Sequence, residues 1–124
     1  MWIHKNENPL NERVGDCVIR AISTALSQSW EKTFVELCVQ AFMDCDLPSS
    51  NSVWAEYLKN KGYTYIGIPN IFNRYTVEDF CKDHPKGTYI LGTGKHALTV
   101  IDGNYYDVWN SGKEIPIYYF TKEE

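Results

Sequence analysis

The sequence predicts an α+β domain, on three observations. Apolar residues recur at helical spacing only between about Cys17 and Asn60. After Gly62 the pattern turns to short, aromatic and β-branched strand-like runs. The two patterns follow one another rather than alternating, which argues against a βαβ unit and for helices packed on a C-terminal antiparallel sheet.

The elements follow in chain order. Residues 1–15 are polar and broken by Asn8-Pro9, so they read as irregular. Asp16 has the residue type of an N-cap for a helix from Cys17 to Ser27, with Val18, Ile22, Ala25 and Leu26 on one face. Ser29 caps a second helix to Asp44, with Phe34, Leu37, Cys38, Ala41 and Phe42 at core spacing. Ser52 caps a third, Val53 to Asn60, closed by Gly62. Tyr63–Ile68 reads as a strand ended by Pro69-Asn70. Thr76 begins a short helix, with Asp79 replacing the usual capping-box Glu, and that helix stops before His84-Pro85. Strands are expected at Thr88–Gly92, His96–Ile101, Tyr105–Trp109 and Ile115–Thr121, with a tight turn at Asp102-Gly103-Asn104.

At 124 residues the chain reads as one domain, 1–124, able to bury a core. It is 44% hydrophobic and 15% aromatic, which argues against disorder. A formal net charge of -4 leaves no electrostatic footprint for nucleic acid. No apolar run reaches the roughly 18 residues of a membrane span, and the first residues lack the pattern of a secretory signal. A cytoplasmic location is therefore expected, with reduced thiols at Cys17, Cys38, Cys45 and Cys81. No Cys-x-x-Cys pair occurs. Cys38 and Cys45 lie seven apart, at core rather than zinc-ligand spacing.

Cys17 carries the chemistry. It stands where a polar lead-in becomes a helix, and a helix start favours a thiolate through its free N–H groups and partial positive charge. The other cysteines read as structural. Of three histidines, His4 falls in the irregular lead-in and His84 in a polar loop before proline. His96 opens an apolar strand and can reach a helix N-terminus as general base. A third group should orient it, and Asp107 and Asn110 both lie on the return strand. A two-residue turn puts Asp107 on the His96 face, whereas a three-residue turn puts Asn110 there. Asp107 is favoured because a carboxylate also stabilises imidazolium. An oxyanion would be met by the Cys17 backbone N–H and a side-chain amide from the lead-in, for which Asn11 is best spaced. Arg20 is placed to pair with Asp16 at i+4.

These segments resemble the papain-like cysteine peptidase fold in minimal form. The matching stretches are Asp16-Cys17-x-x-Arg20-Ala21, His96-Ala97-Leu98-Thr99-Val100-Ile101-Asp102-Gly103 and Tyr106-Asp107-Val108-Trp109-Asn110-Ser111-Gly112. They look like short bacterial and phage-encoded members of that superfamily, including relatives of the bacteriocin-processing peptidases. Two features depart from the family: glutamine usually stands where Asn11 does, and the Cys-Gly-x-Cys-Trp signature is absent. The resemblance implies a cysteine hydrolase or acyl transferase, of peptidase or amidase type, working through a thioester with a Cys17, His96, Asp107 triad and no cofactor or metal. Its partner would be a peptide or amide-containing substrate, in a shallow cleft or one completed by a protein partner. The alternative is a catalytically inactive papain-like scaffold serving as a binding or inhibitory module.

Overall fold

The computed structural model describes residues 1–11, 15–69 and 74–122. The elements run β1 (Trp2–His4), α1 (Cys17–Leu26), α2 (Trp30–Asp44), α3 (Asn51–Asn60), β2 (Thr64–Gly67), α4 (Val77–Asp83), β3 (Thr88–Gly92), β4 (Ala97–Ile101), β5 (Asn104–Asp107) and β6 (Tyr118–Thr121). The six strands form one sheet in the order β1-β5-β4-β3-β6-β2. Among these described residues no helix is long and apolar enough to cross a membrane.

The α+β class holds, with one correction to the sheet. The lead-in, expected to be irregular, contributes β1, which pairs in parallel with β5 from Trp2↔Tyr105 to His4↔Asp107. The sheet is therefore mixed, and its β1 edge is N-terminal. Three residues carry no periodicity to read, and a parallel partner about a hundred positions away leaves no local mark.

The helix ends are built as the capping residues suggest in two of four cases. Ser29 Oγ accepts the Lys32 N–H at 3.1 Å. Thr76 and Asp79 form a reciprocal capping box, each side chain taking the other's backbone N–H. In α3 the start moves two residues ahead of Ser52, to an N-cap at Ser50. Asp16 holds the N-cap position of α1, but its side chain makes no capping bond. Of the Pro69-Asn70 breaker, Asn70 lies outside the described residues.

Helices pack on both faces of the sheet. On one, Ala21 and Ile22 of α1, Leu37 of α2 and Trp54 and Leu58 of α3 meet Ile90, Ala97 and Phe120. On the other, Val77 and Phe80 of α4 meet Leu91, Leu98, Val100 and Tyr105. Alternate residues along β3 and β4 thus feed opposite cores, as a strand period of two requires. Each fully buried Ile or Leu here is worth roughly 1.5–3 kcal/mol. Enclosed by sheet and α2 together, α1 buries Ser23 and Thr24 besides Ala21 and Ile22, more than the single stripe expected. Ser23 Oγ meets Thr33 Oγ1 at 2.9 Å, and Thr99 Oγ1 donates to the Ala21 carbonyl at 2.6 Å, so the buried hydroxyls are satisfied. In α2 the expected core face is rotated. Thr33, Leu37 and Ala41 are buried, while Phe34 and Phe42 are 41% and 84% exposed.

Two turns set the site. In the β4–β5 hairpin Ile101 pairs with Asn104, so the turn has two residues, Asp102 and Gly103, with φ of 49° and 80°. Paired positive φ values are those of a type I′ turn, which an Asp-Gly pair favours. The β3–β4 connection is closed by the Thr93 N–H donating to the His96 carbonyl at 2.9 Å, with Gly94 at φ +94°. It fixes His96 one residue ahead of β4, not inside the strand.

Candidate active site

Cys17 is the first residue of α1, and α1 packs along β4. Its thiol faces His96 and the backbone N–H of Ala97, and both favour its ionised form. His96 Nε2 lies 2.5 Å from Asp107 Oδ2, which leaves Nδ1 for the sulfur. The three side chains form one connected line from helix start to return strand.

The two-residue turn fixes the register of β5 against β4 and excludes the one that would set Asn110 opposite His96. Val100 pairs with Tyr105 and Thr99 with Tyr106, so even-numbered positions of β4 share a face with odd-numbered positions of β5. His96 and Asp107 have that parity. Asn110 is exposed, and its Oδ1 instead accepts the Tyr105 hydroxyl at 2.6 Å and the Gly112 N–H at 3.1 Å, an anchor for the chain after β5.

Asp107 is itself held from several sides. Its side chain is 3% exposed. Oδ2 accepts the Ser111 hydroxyl at 2.7 Å, and Oδ1 the Val108 N–H at 2.8 Å. Its carbonyl accepts the Trp2 indole N–H and the Lys5 N–H, both at 3.1 Å, so β1 braces the residue through its backbone. Trp109 stands over His96 with ring centroids 5.1 Å apart. Ser111 and Trp109 were not among the residues singled out for these roles. The sequence signal for both is that they stand in the stretch Tyr106–Gly112 that carries the resemblance, next to Asp107.

The electrostatics favour separated charge. Burial opposes ionisation of Cys17, yet its pKa is lowered, through the His96 hydrogen bond, the Ala97 N–H and the charges of His96 and Arg20. Burial likewise opposes a charged His96, but its hydrogen bonds to Asp107 and Cys17 and their negative charge push it up to about 9. Both shifts lean towards a charged pair, thiolate and imidazolium, over the neutral one. Cys81 is the contrast: it is buried and its thiol is pushed up to about 11. Cys45 is exposed and Cys38 half-buried, and all four thiols are free.

Asp16, next to Cys17, is buried and does not cap the helix. Its Oδ2 accepts the Trp30 indole N–H at 2.9 Å and Asn8 Nδ2 at 3.3 Å. Its Oδ1 lies 3.0 Å from Arg20 Nε, the expected i+4 ion pair. That contact is close but poorly aligned, so it is an ion pair rather than a directed hydrogen bond. With the carboxylate turned to these partners, the first-turn N–H groups of α1 are left uncapped by it.

Asn11 is placed differently from the other candidates. It is exposed, has φ of 54°, and gives its N–H to the Asn8 carbonyl at 2.9 Å. It is not among the described residues that line the cavity at Cys17. His84 is not a loose loop residue: its ring stacks on Phe80 at 3.8 Å and Nδ1 meets the Phe80 carbonyl at 2.9 Å. Among the described residues no group of three or more His, Cys, Asp or Glu is arranged to hold a metal ion.

Comparison with known protein families, with curated proteins and with solved structures finds no match to this chain. The reading of the site therefore stands on its own geometry.

Proposed function

We propose that this chain is a papain-like cysteine hydrolase or acyl transferase, acting on an amide, peptide or isopeptide bond. The observation that carries the reading is the line Cys17–His96–Asp107, begun at a helix N-terminus and ended on a buried carboxylate. A non-catalytic scaffold has no need of a thiol whose ionised form is favoured by a histidine that a buried carboxylate orients.

In this mechanism the Cys17 thiolate attacks the carbonyl carbon and forms a C–S bond. The carbonyl π electrons move to oxygen. The Cys17 N–H and the positive end of α1 face that oxyanion, and with Asn11 on the surface this donor set is the main one. The His96 imidazolium gives its proton to the leaving nitrogen as the C–N bond breaks, leaving a thioester. Water or an amine then attacks the thioester, His96 takes its proton, and the thiolate leaves. Asp107 keeps one ring tautomer and stabilises the imidazolium throughout.

The test is alkylation with iodoacetamide near neutral pH, with mass spectrometry to locate the label. Cys17 is expected to react faster than Cys38, Cys45 and Cys81, and His96→Ala to slow Cys17 alone. Equal labelling of all four, or a Cys17 rate indifferent to His96→Ala, would sink the proposal.

A further inference from the structure

The outer face of α2 is apolar and open to solvent. Val35, Val39, Phe42 and Met43, with Leu47 just beyond the helix, each leave more than half of their surface exposed. The four helical positions follow the i, i+4, i+7, i+8 spacing of one continuous stripe. Single apolar residues on a surface are ordinary, but a contiguous stripe marks an interaction site. We propose that this face binds a second copy of the chain, with the two α2 helices antiparallel about a two-fold axis at Val39.

Charge selects a second copy over other occupants. Lys32, seven residues before Val39, is exposed and forms no ion pair among the described residues. Glu36, one turn on, feels its charge but is held by Tyr57 and Lys61. Asp46, seven residues after Val39, is exposed as well. Its oxygens accept the Leu47 N–H and the Ser50 and Ser52 hydroxyls, all neutral donors. In a two-fold contact, residue i of one copy meets j of the other, and j meets i. With the axis at Val39, residues equally far from it on either side come together. Lys32 then meets the partner's Asp46, and Asp46 the partner's Lys32. Val35 meets the partner's Met43 by the same operation, which closes the apolar stripe. Charges left without an opposite in one copy are complementary in two.

The same charges set the direction. A parallel pair would place Asp44 and Asp46 beside their own copies and align the two helix dipoles, and both effects oppose association. An antiparallel pair reverses both. With 15 residues, α2 is about 22 Å long at 1.5 Å per residue. A contact confined to one such helix lies at the small end of the interface range, under roughly 800 Å² per partner, so the dimer should dissociate at micromolar concentration.

Analytical ultracentrifugation of the full chain over a concentration series reads the equilibrium. Wild type is expected to pass from monomer to dimer in the micromolar range. Phe42→Glu puts a charge into the stripe at a site already 84% exposed, so the monomer keeps its fold. It should weaken dimerisation at least about tenfold, because the charge would be buried without a partner. Lys32→Glu should weaken it several-fold by facing like charge at Asp46. Circular dichroism melting checks that both variants fold. A short bismaleimide should join position 39 to its own copy in Val39→Cys, with peptide mapping to set aside links through the native cysteines. It should not join position 31 in Glu31→Cys, which the antiparallel register holds about 24 Å from its counterpart. A wild type that stays monomeric throughout, or that forms open-ended species, would overturn the proposal. So would a dimer indifferent to Phe42→Glu. Cross-linking at position 31, or none at position 39, would overturn the antiparallel pairing.

Discussion

Ser111 and His96 meet on a single oxygen. Asp107 Oδ2 takes the Ser111 hydroxyl at 2.7 Å and His96 Nε2 at 2.5 Å, and Ser111 is fully buried. The hydroxyl fixes the carboxylate rotamer and stabilises its ionised form, so it acts on His96 through Asp107. Ser111→Ala should cost about 1–3 kcal/mol, because it strips a donor from a buried carboxylate. Denaturant unfolding measures that cost. The same variant should slow Cys17 alkylation several-fold. Lost stability with an unchanged alkylation profile would mean that Ser111 only supports the fold.

The choice between Asp107 and Asn110 is tested by a pair of variants. Asp107→Asn should let the His96 pKa fall from about 9 and should slow Cys17 alkylation by at least about tenfold, through loss of the charge and tautomer control. Asn110→Ala should leave the His96 titration alone. It should cost about 1 kcal/mol of stability for the bonds to Tyr105 and Gly112. Histidine NMR titrations of both proteins decide the matter, and the reverse pattern would remove Asp107 from the site.

The pH dependence has a definite sign. The folded pKa of His96 is raised from 6.5 to about 9, so its charge stabilises the fold fully below about pH 6.5. That contribution is lost as pH rises through about 9. Cys17 is depressed from 9.0, so its contribution is present above that value and is lost as pH falls through the lower folded pKa. Alkylation of Cys17 should therefore rise with pH through a midpoint below 9.0, and His96→Ala should move that midpoint upward. The stability gap between wild type and His96→Ala should narrow above about pH 9. A gap independent of pH would show that the imidazolium is not part of the folded state.

Arg20 links the fold to the thiol. Its side chain is 11% exposed and pairs with Asp16, which is 3% exposed. Arg20→Met leaves a buried carboxylate without its cation and should destabilise the protein by about 3 kcal/mol, the scale of a broken buried pair. Arg20 charge is also one of the influences lowering Cys17, so the thiol midpoint should rise in the same variant. Thermal unfolding and pH-dependent alkylation read the two effects separately. A thiol midpoint that stays in place would confine Arg20 to the fold.

Gly92→Ala tests the packing of Tyr118 in the wall of the cavity at Cys17. The added Cβ meets the Tyr118 ring at 2.1 Å, too close for either to stay. The ring must leave, at a cost of about 1–3 kcal/mol for an overpacked site. Calorimetry should show a lower melting temperature. An unchanged one would mean the ring moves freely and forms no fixed wall.

By itself the sequence determined what local chemistry decides. Ser29 and the Thr76–Asp79 box ended their helices because a side-chain oxygen reaches an N–H three residues away. Asp102-Gly103-Asn104 marked a tight turn in the sequence but left two or three residues open; the pairing of Ile101 with Asn104 makes it two, Asp102 and Gly103, both at positive φ. Asp107 was favoured over Asn110 from the sequence only because a carboxylate stabilises imidazolium, and the hydrogen bond to His96 is what the tertiary structure added. What only the tertiary structure decided depends on distant neighbours. The β1 strand exists because β5 is there to pair with it. Phe34 and Phe42 follow helical spacing, but which side of α2 is buried is set by where α1 and α3 lie. Asp16 turned from capping because Trp30, Asn8 and Arg20 converge on it, and Ser111 found Asp107 because the chain folds back after β5. Local preferences are worth about 1 kcal/mol each, and burying a charge or an aromatic ring is worth more, so packing overrides spacing wherever the two disagree.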